Sequence, residues 1–155
     1  QTANQVEFSL YRLRGICYNS YMKLLDPAGH IIFSVSDYKK SKLFYGKLFK
    51  KIGYKQVCDS DTSSAWVTPQ GLGFWIKPAK EKLPLHVHGS PGINHVCFIV
   101  SSAEEVDSLY ELLKKDKVRS FDAPEAYSQY TKNYYAVFFA DPDGIKIEVA
   151  RYSGE

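Results

Sequence analysis

The sequence predicts an α+β fold of two βαβββ modules related by pseudo-twofold symmetry, forming a cupped mixed sheet with the helices on its outer face. Two observations carry this expectation. The stretches "HIIFSVSDYKKSKLFYGKLFKK" from His30 and "HVCFIVSSAEEVDSLYELLKK" from His95 superpose without a gap at an offset of 65 residues, the distance from His30 to His95, as in an internal duplication. In each copy the spacing of apolar residues changes from two to 3.6 just after a serine, Ser36 or Ser101, so a strand gives way to a helix.

In chain order, residues 1–28 mix apolar and polar character and end near the turn-like "DPAG", which reads as an extension outside the main fold. A first module covers 29–78. Its opening strand turns Ile31, Phe33 and Val35 toward the helix layer, Asp37 is placed to cap the helix, and Tyr45, Leu48, Phe49 and Ile52 form its buried face. Gly53 would stop the helix, after which "YKQVCD", "SAWVT" and "GFWIKP" read as three short strands. Residues 79–92, rich in Pro, Lys, His and Gly, form a linker; His86 and His88 within it have no fixed third ligand and read as a solvated loop. The second module covers 93–152. Val96, Phe98 and Val100 face inward, Ser102 with Glu105 makes a capping box, and Val106, Leu109, Tyr110 and Leu113 form the helix face. "VRSF", "NYYAVFFA" and "IKIEVARY" are its three later strands. Together, 29–152 read as a single domain.

With 155 residues, 45% of them hydrophobic, one core is enough. The formal charge of +3 is spread along the chain, which argues against a nucleic-acid partner. No apolar run approaches the ~18 residues of a membrane span, so a soluble protein is expected. Cys17, Cys58 and Cys97 form no CxxC pair, and an odd count suits reduced thiols in the cytoplasm better than a disulfide framework.

Strand parity decides which side chains share the face opposite the helices. His30 and His95 fall there, as do Trp75 and Lys77 of the fourth strand and Lys146, Glu148 and Ala150 of the last. Aligning Gly73 with Gly144 pairs Lys77 with Glu148. A cup closed from two such faces would be lined by His30, His95, Glu148 and Lys77, and two imidazoles with a carboxylate suit a divalent metal with open positions. Cys97 shares the parity of His95, yet Val96 and Phe98 beside it favour a buried, inert thiol. Tyr127, Tyr130 and Tyr134, with Trp75, are expected to wall a substrate pocket. Ser36, Ser101 and Ser102 read as strand-end and cap residues.

These features together, with "SDYKKSKLFYGKLFKKIGY" and the closing "YYAVFFADPDGIKIEVA", resemble the vicinal oxygen chelate superfamily, the group of glyoxalases, bleomycin-resistance proteins and extradiol dioxygenases. The resemblance spans residues 29–152. It implies that His30, His95 and Glu148 are ligands of a divalent metal (Ni, Zn, Mn or Fe) and that a small oxygen-chelating substrate is activated by electrophilic stabilisation of an anion. It also implies a homodimer. Lyase, isomerase or transferase chemistry is expected over ring cleavage, because dioxygenases of the group usually carry more such modules in a longer chain. Lactoylglutathione lyases have a fourth protein ligand where the alignment puts Lys77, whereas fosfomycin-inactivating thiol transferases work with three.

A charged lysine about 5 Å from a divalent ion would be repelled by about 7 kcal/mol at an effective dielectric of about 20. Lys77 is therefore expected to reach solvent or an anionic substrate group, to act as a catalytic base, or to pair with Glu148 in a pocket without metal. The last outcome would make the protein a drug-sequestering binding module.

Overall fold

A computed structural model describes residues 29–81, 89 and 91–152. The expected extension 1–28, with Cys17, and the part of the linker that carries His86 and His88 lie outside the described residues.

The first half of the fold runs β1 (His30–Val35), α1 (Tyr38–Lys51), β2 (Lys55–Asp59), β3 (Ser64–Val67) and β4 (Gly73–Pro78). The second runs β5 (His95–Ile99), α2 (Ala103–Lys115), β6 (Glu125–Ala126), β7 (Tyr135–Ala140) and β8 (Lys146–Arg151). Each half forms a four-stranded mixed sheet, ordered β1-β4-β3-β2 and β5-β8-β7-β6, in which the first strand pairs parallel with the last. These are the two βαβββ modules that the repeat predicts.

The helices begin and end where local chemistry directs. Asp37 accepts from the Lys40 backbone N–H at the start of α1, and Ser102 with Glu105 forms the complete capping box of α2. Both helices close with the same turn, in which Tyr54 N–H donates to Phe49 C=O and Val118 N–H to Leu113 C=O. The residue that must turn left-handed there is Gly53 in α1 (φ 86°) but Lys117 in α2 (φ 54°). A glycine adopts that conformation without a Cβ clash; a lysine does so at a cost.

The inward faces of both sheets and both helices share one core. Phe33, Tyr45, Phe49, Trp66 and Phe74 of the first half meet Phe98, Leu109, Phe139 and Val149 of the second. Phe49 of α1 sets its ring 5.4 Å from that of Phe98 on β5, edge to face. Polar contacts fix the two halves further. Tyr45 donates its buried hydroxyl to Asp141 Oδ2 at 2.7 Å, and both the backbone N–H and the hydroxyl of Ser36 bond Asp143. The β7–β8 turn is thereby tied to β1 and α1, and the faces opposite the helices point away from the common core.

One expected strand is not there. "VRSF" (118–121) does not form a ladder; Ser120 makes a single bridge to Phe139, and the edge strand β6 is Glu125–Ala126. Arg119 C=O and Phe121 N–H still bond β7, but the chain then reaches Pro124, which lacks a donor and restricts the residue before it. Pairing resumes only beyond that proline.

Candidate active site

The open face of the second module gathers most of the expected residues. Alternation along β5 and β8 puts His95, Cys97, Lys146 and Glu148 on it, and β7 adds Ala136 and Phe138. Glu148 is 2% exposed, and a carboxylate that deeply placed must be partnered. Its Oε1 accepts from the Tyr134 hydroxyl at 2.5 Å, and its Oε2 lies 3.0 Å from His95 Nε2. The other ring nitrogen of His95, Nδ1, is 2.8 Å from Asn94 Oδ1, so Nδ1 carries a proton toward Asn94 and Nε2 is the nitrogen presented to Glu148. Phe138 meets the imidazole edge-on at 6.2 Å.

Aromatic rings surround this pair. Tyr134 stacks on Tyr152 at 4.9 Å and 5°, Tyr127 stacks on Tyr130 at 5.9 Å, and Tyr127 also meets Phe138 edge-on at 5.4 Å. Burial, then the bond to Glu148, holds the Tyr134 hydroxyl far above its ordinary range, so it is a fixed donor. Burial, then a bond to Glu125, pushes Tyr127 up to about 12. Cys97 lies across the ladder from Glu148; burial, then the nearby carboxylate, pushes its thiol up to about 12. It is an uncharged side chain here and not a nucleophile. Phe138, Lys146 and Tyr152 belong to the same surface. Parity alone places the first two there, whereas Tyr152 follows the last strand and is brought in by its stacking on Tyr134.

The first module's open face carries His30, Ile32, Trp75 and Lys77. A Cβ on Gly73 would sit 3.2 Å from His30 Cβ and 3.3 Å from Trp75 Nε1, so the bare glycine lets the imidazole and the indole approach over it. Among the described residues no three His, Cys, Asp or Glu side chains come together in a metal-binding group: His95 and Glu148 meet, and His30 is not with them. Lys77 is exposed, and no ion pair joins it to Glu148 among the described residues.

The pairing register also corrects the alignment of the modules. His30 is opposite Gly73 and Ile32 opposite Trp75; in the other sheet His95 is opposite Lys146 and Cys97 opposite Glu148. Since His95 and Cys97 are the repeats of His30 and Ile32, the position equivalent to Glu148 is Trp75, and Lys77 corresponds to Ala150. The fourth-ligand place thus holds an indole, which cannot coordinate, and the repulsion argued for a lysine there does not arise.

His95 and Glu148 by themselves have the spacing of two ligands of one ion. Two ligands about 2.1 Å from one metal and at about 90° to each other stand about 3.0 Å apart, the separation of His95 Nε2 and Glu148 Oε2. Asn94 behind the imidazole and Tyr134 behind the carboxylate are the kind of supporting bonds that orient ligands.

The sequence and the fold also have known relatives. Residues 28–149 match the model of the Glyoxalase/Bleomycin resistance protein/Dioxygenase superfamily. The chain is 31% identical over 122 residues to the protein YqjT of Bacillus subtilis, covering 77% of this chain and 94% of that one. It is 33% identical over 119 residues to the metallothiol transferase FosB of Lysinibacillus sphaericus, covering 77% of each. A glyoxalase/bleomycin resistance protein from Albidiferax ferrireducens superposes with a TM-score of 0.67 at 22% identity, over 80% of this chain and 98% of the other, a likeness of fold. The chain belongs to the Glyoxalase/Bleomycin resistance protein/Dioxygenase superfamily.

Proposed function

We propose that this protein is a divalent-metal-dependent thiol transferase acting on a small electrophile whose oxygens chelate the ion. The metal would be held by His95 and Glu148 of one copy and His30 of a second copy in a homodimer. The observation that carries the reading is the His95–Glu148 pair, spaced for two ligands of one ion and braced by Asn94 and Tyr134. Its relation to the first module supports the rest. His30 starts β1 as His95 starts β5, so the open face of module one is the complement that module two lacks within its own chain. Exposed apolar side chains on these faces, Ile32 at 46% and Ile99 at 60%, favour covering by a second copy.

Trp75 in the fourth-ligand place favours a three-ligand site, which by resemblance is that of the thiol transferases and not of the lactoylglutathione lyases; the likeness to a metallothiol transferase points the same way. When bound, the ion would act as a Lewis acid on substrate oxygens and stabilise the oxyanion released as the thiol sulfur bonds to carbon and the carbon–oxygen bond breaks, the thiol proton ending on that oxygen. The chain's own groups do the remainder. Tyr134 keeps Oε1 of Glu148 occupied so that Oε2 faces His95, Phe138 meets the imidazole edge-on, and Tyr127, packed on Phe138, walls one side of the reacting centre. Lys77 has no place in this scheme. The metal-free binding module lost its supporting contact with it, since Glu148 is partnered by His95 and Tyr134.

The test is metal content after reconstitution with Mn(II), Zn(II), Ni(II) or Fe(II), followed by thiol consumption with fosfomycin and related oxygen-bearing electrophiles. Near one equivalent of metal per chain, lost in His95→Ala, is expected, and turnover should need the metal. Less than about a tenth of an equivalent for every ion would reject the metal centre.

A further inference from the structure

On the far side of the core from the open faces, α1 and α2 enclose a groove of about 390 Å³, within the about 300–1,000 Å³ of small-molecule pockets. We propose that this groove is a binding site for a small amphipathic anion, an alkyl carboxylate of medium chain length. Its floor is hydrocarbon, from Phe44 and Leu48 of α1 and Leu109 and Leu113 of α2, and Leu43 stands at its mouth 69% exposed. The β7–β8 turn, with Ala140 and Pro142, forms another part of the wall.

The charges at the rim select the head group. Asp116 is already bonded to Lys47 at 2.7 Å, and Asp141 accepts from Tyr45, Asp143 and Ile145 inside the fold. Lys40, Lys117 and Arg119 also line the groove, and none of the three has a carboxylate partner among the described residues. Arg119 is held over the Phe121 ring at 5.3 Å. Lys117 sits in the left-handed turn position that glycine fills at the end of α1, so the fold keeps a cation here against backbone preference. An apolar trough with three cations that lack a carboxylate partner among the described residues is complementary to a chain that ends in one negative charge. The helix side of the molecule, and none of the proposed metal ligands, would make the contacts.

Titration calorimetry of the whole chain with decanoate and with decanol tests the assignment, together with Lys117→Gly and Leu43→Glu. Decanoate should saturate one site per chain below about 1 mM and bind at least about fivefold tighter than decanol. Lys117→Gly should weaken decanoate about fivefold while leaving the thermal midpoint no lower, because glycine suits that turn, and Leu43→Glu should weaken it about tenfold. Metal content should be the same in all three proteins, which separates this result from the fate of the metal site. Failure to saturate, equal binding of decanol, or indifference to both substitutions would overturn the proposal. Light scattering in which Leu43→Glu alone turns a dimer into a monomer would also overturn it, by making the occupant a second copy of the chain.

Discussion

Removing one hydroxyl from the core should loosen the joint between the modules in a pH-dependent way. Tyr45 is fully buried on α1 and donates to Asp141 Oδ2 at 2.7 Å, while Asp141 Oδ1 keeps its two backbone donors, from Asp143 and Ile145. Tyr45→Phe preserves the ring and its packing on Phe49 and Phe74, so the loss is the hydrogen bond to a buried carboxylate, about 1.5–3 kcal/mol at pH 7. Burial holds the Asp141 carboxyl above its usual value of 3.8, and the Tyr45 donor partly offsets this. A buried acid with a raised value costs stability as pH rises through that value, because the native state must then give up a proton it retains better than the unfolded chain. Without the donor the value rises further and the cost above it deepens. Urea unfolding at pH 7 should therefore show a midpoint shift at unchanged slope, and a thermal midpoint lower by about 3–12 °C. Below the usual carboxyl value of 3.8, where the raised Asp141 carboxyl is protonated, the difference should shrink to about 1 kcal/mol, the worth of a bond to a neutral carboxyl. An equal loss at both pH values, or less than about 0.5 kcal/mol at pH 7, would refute the argument.

Lys117→Gly should stabilise the fold by about 1 kcal/mol by relieving the left-handed lysine at the end of α2, as urea unfolding can measure. Gly73→Ala should weaken metal binding without unfolding the chain, because the new methyl crowds His30 at 3.2 Å and Trp75 at 3.3 Å; a competition titration against a chelator reads this, and unchanged affinity would show that the approach over Gly73 is not needed. Tyr134→Phe should lower metal affinity about 10–100-fold by freeing Oε1 of Glu148, while the Tyr127 and Tyr152 contacts keep the ring in place.

What could be read from the sequence is what local chemistry decides. The repeat, the change of period after Ser36 and Ser101, the cap at Asp37, the capping box at Ser102 and Glu105 and the stop at Gly53 each depend on a few neighbouring residues, and each is in the structure. Parity also placed Glu148 and His95 on one face correctly. It could not place Lys77, because a two-residue slide leaves every side chain on the same face; aligning Gly73 with Gly144 looked as good as the true register, in which Trp75 answers Glu148. The glycines themselves differ, Gly144 serving a turn at φ 86° and Gly73 a close approach of side chains. The reduction of "VRSF" to a single bridge depends on Pro124 three residues later, and the separation of His30 from His95 and Glu148 depends on how whole modules pack. Neither is written in a short window of sequence.

The most direct test of the shared metal centre is complementation between two defective chains. His30→Ala and Glu148→Ala each break every site of their own homodimer. Unfolded together in equal amounts and refolded, half the dimers should be mixed, and each mixed dimer should hold one intact site, so metal content should recover to about a quarter of wild type from two proteins that each bind almost none. Recovery to about that level, with thiol transfer returning in the same proportion, is the predicted result. Metal content that stays at the level of the separate variants, in a sample shown by light scattering and mass spectrometry to contain mixed dimers, would contradict a site built from His30 of one copy and His95 and Glu148 of the other.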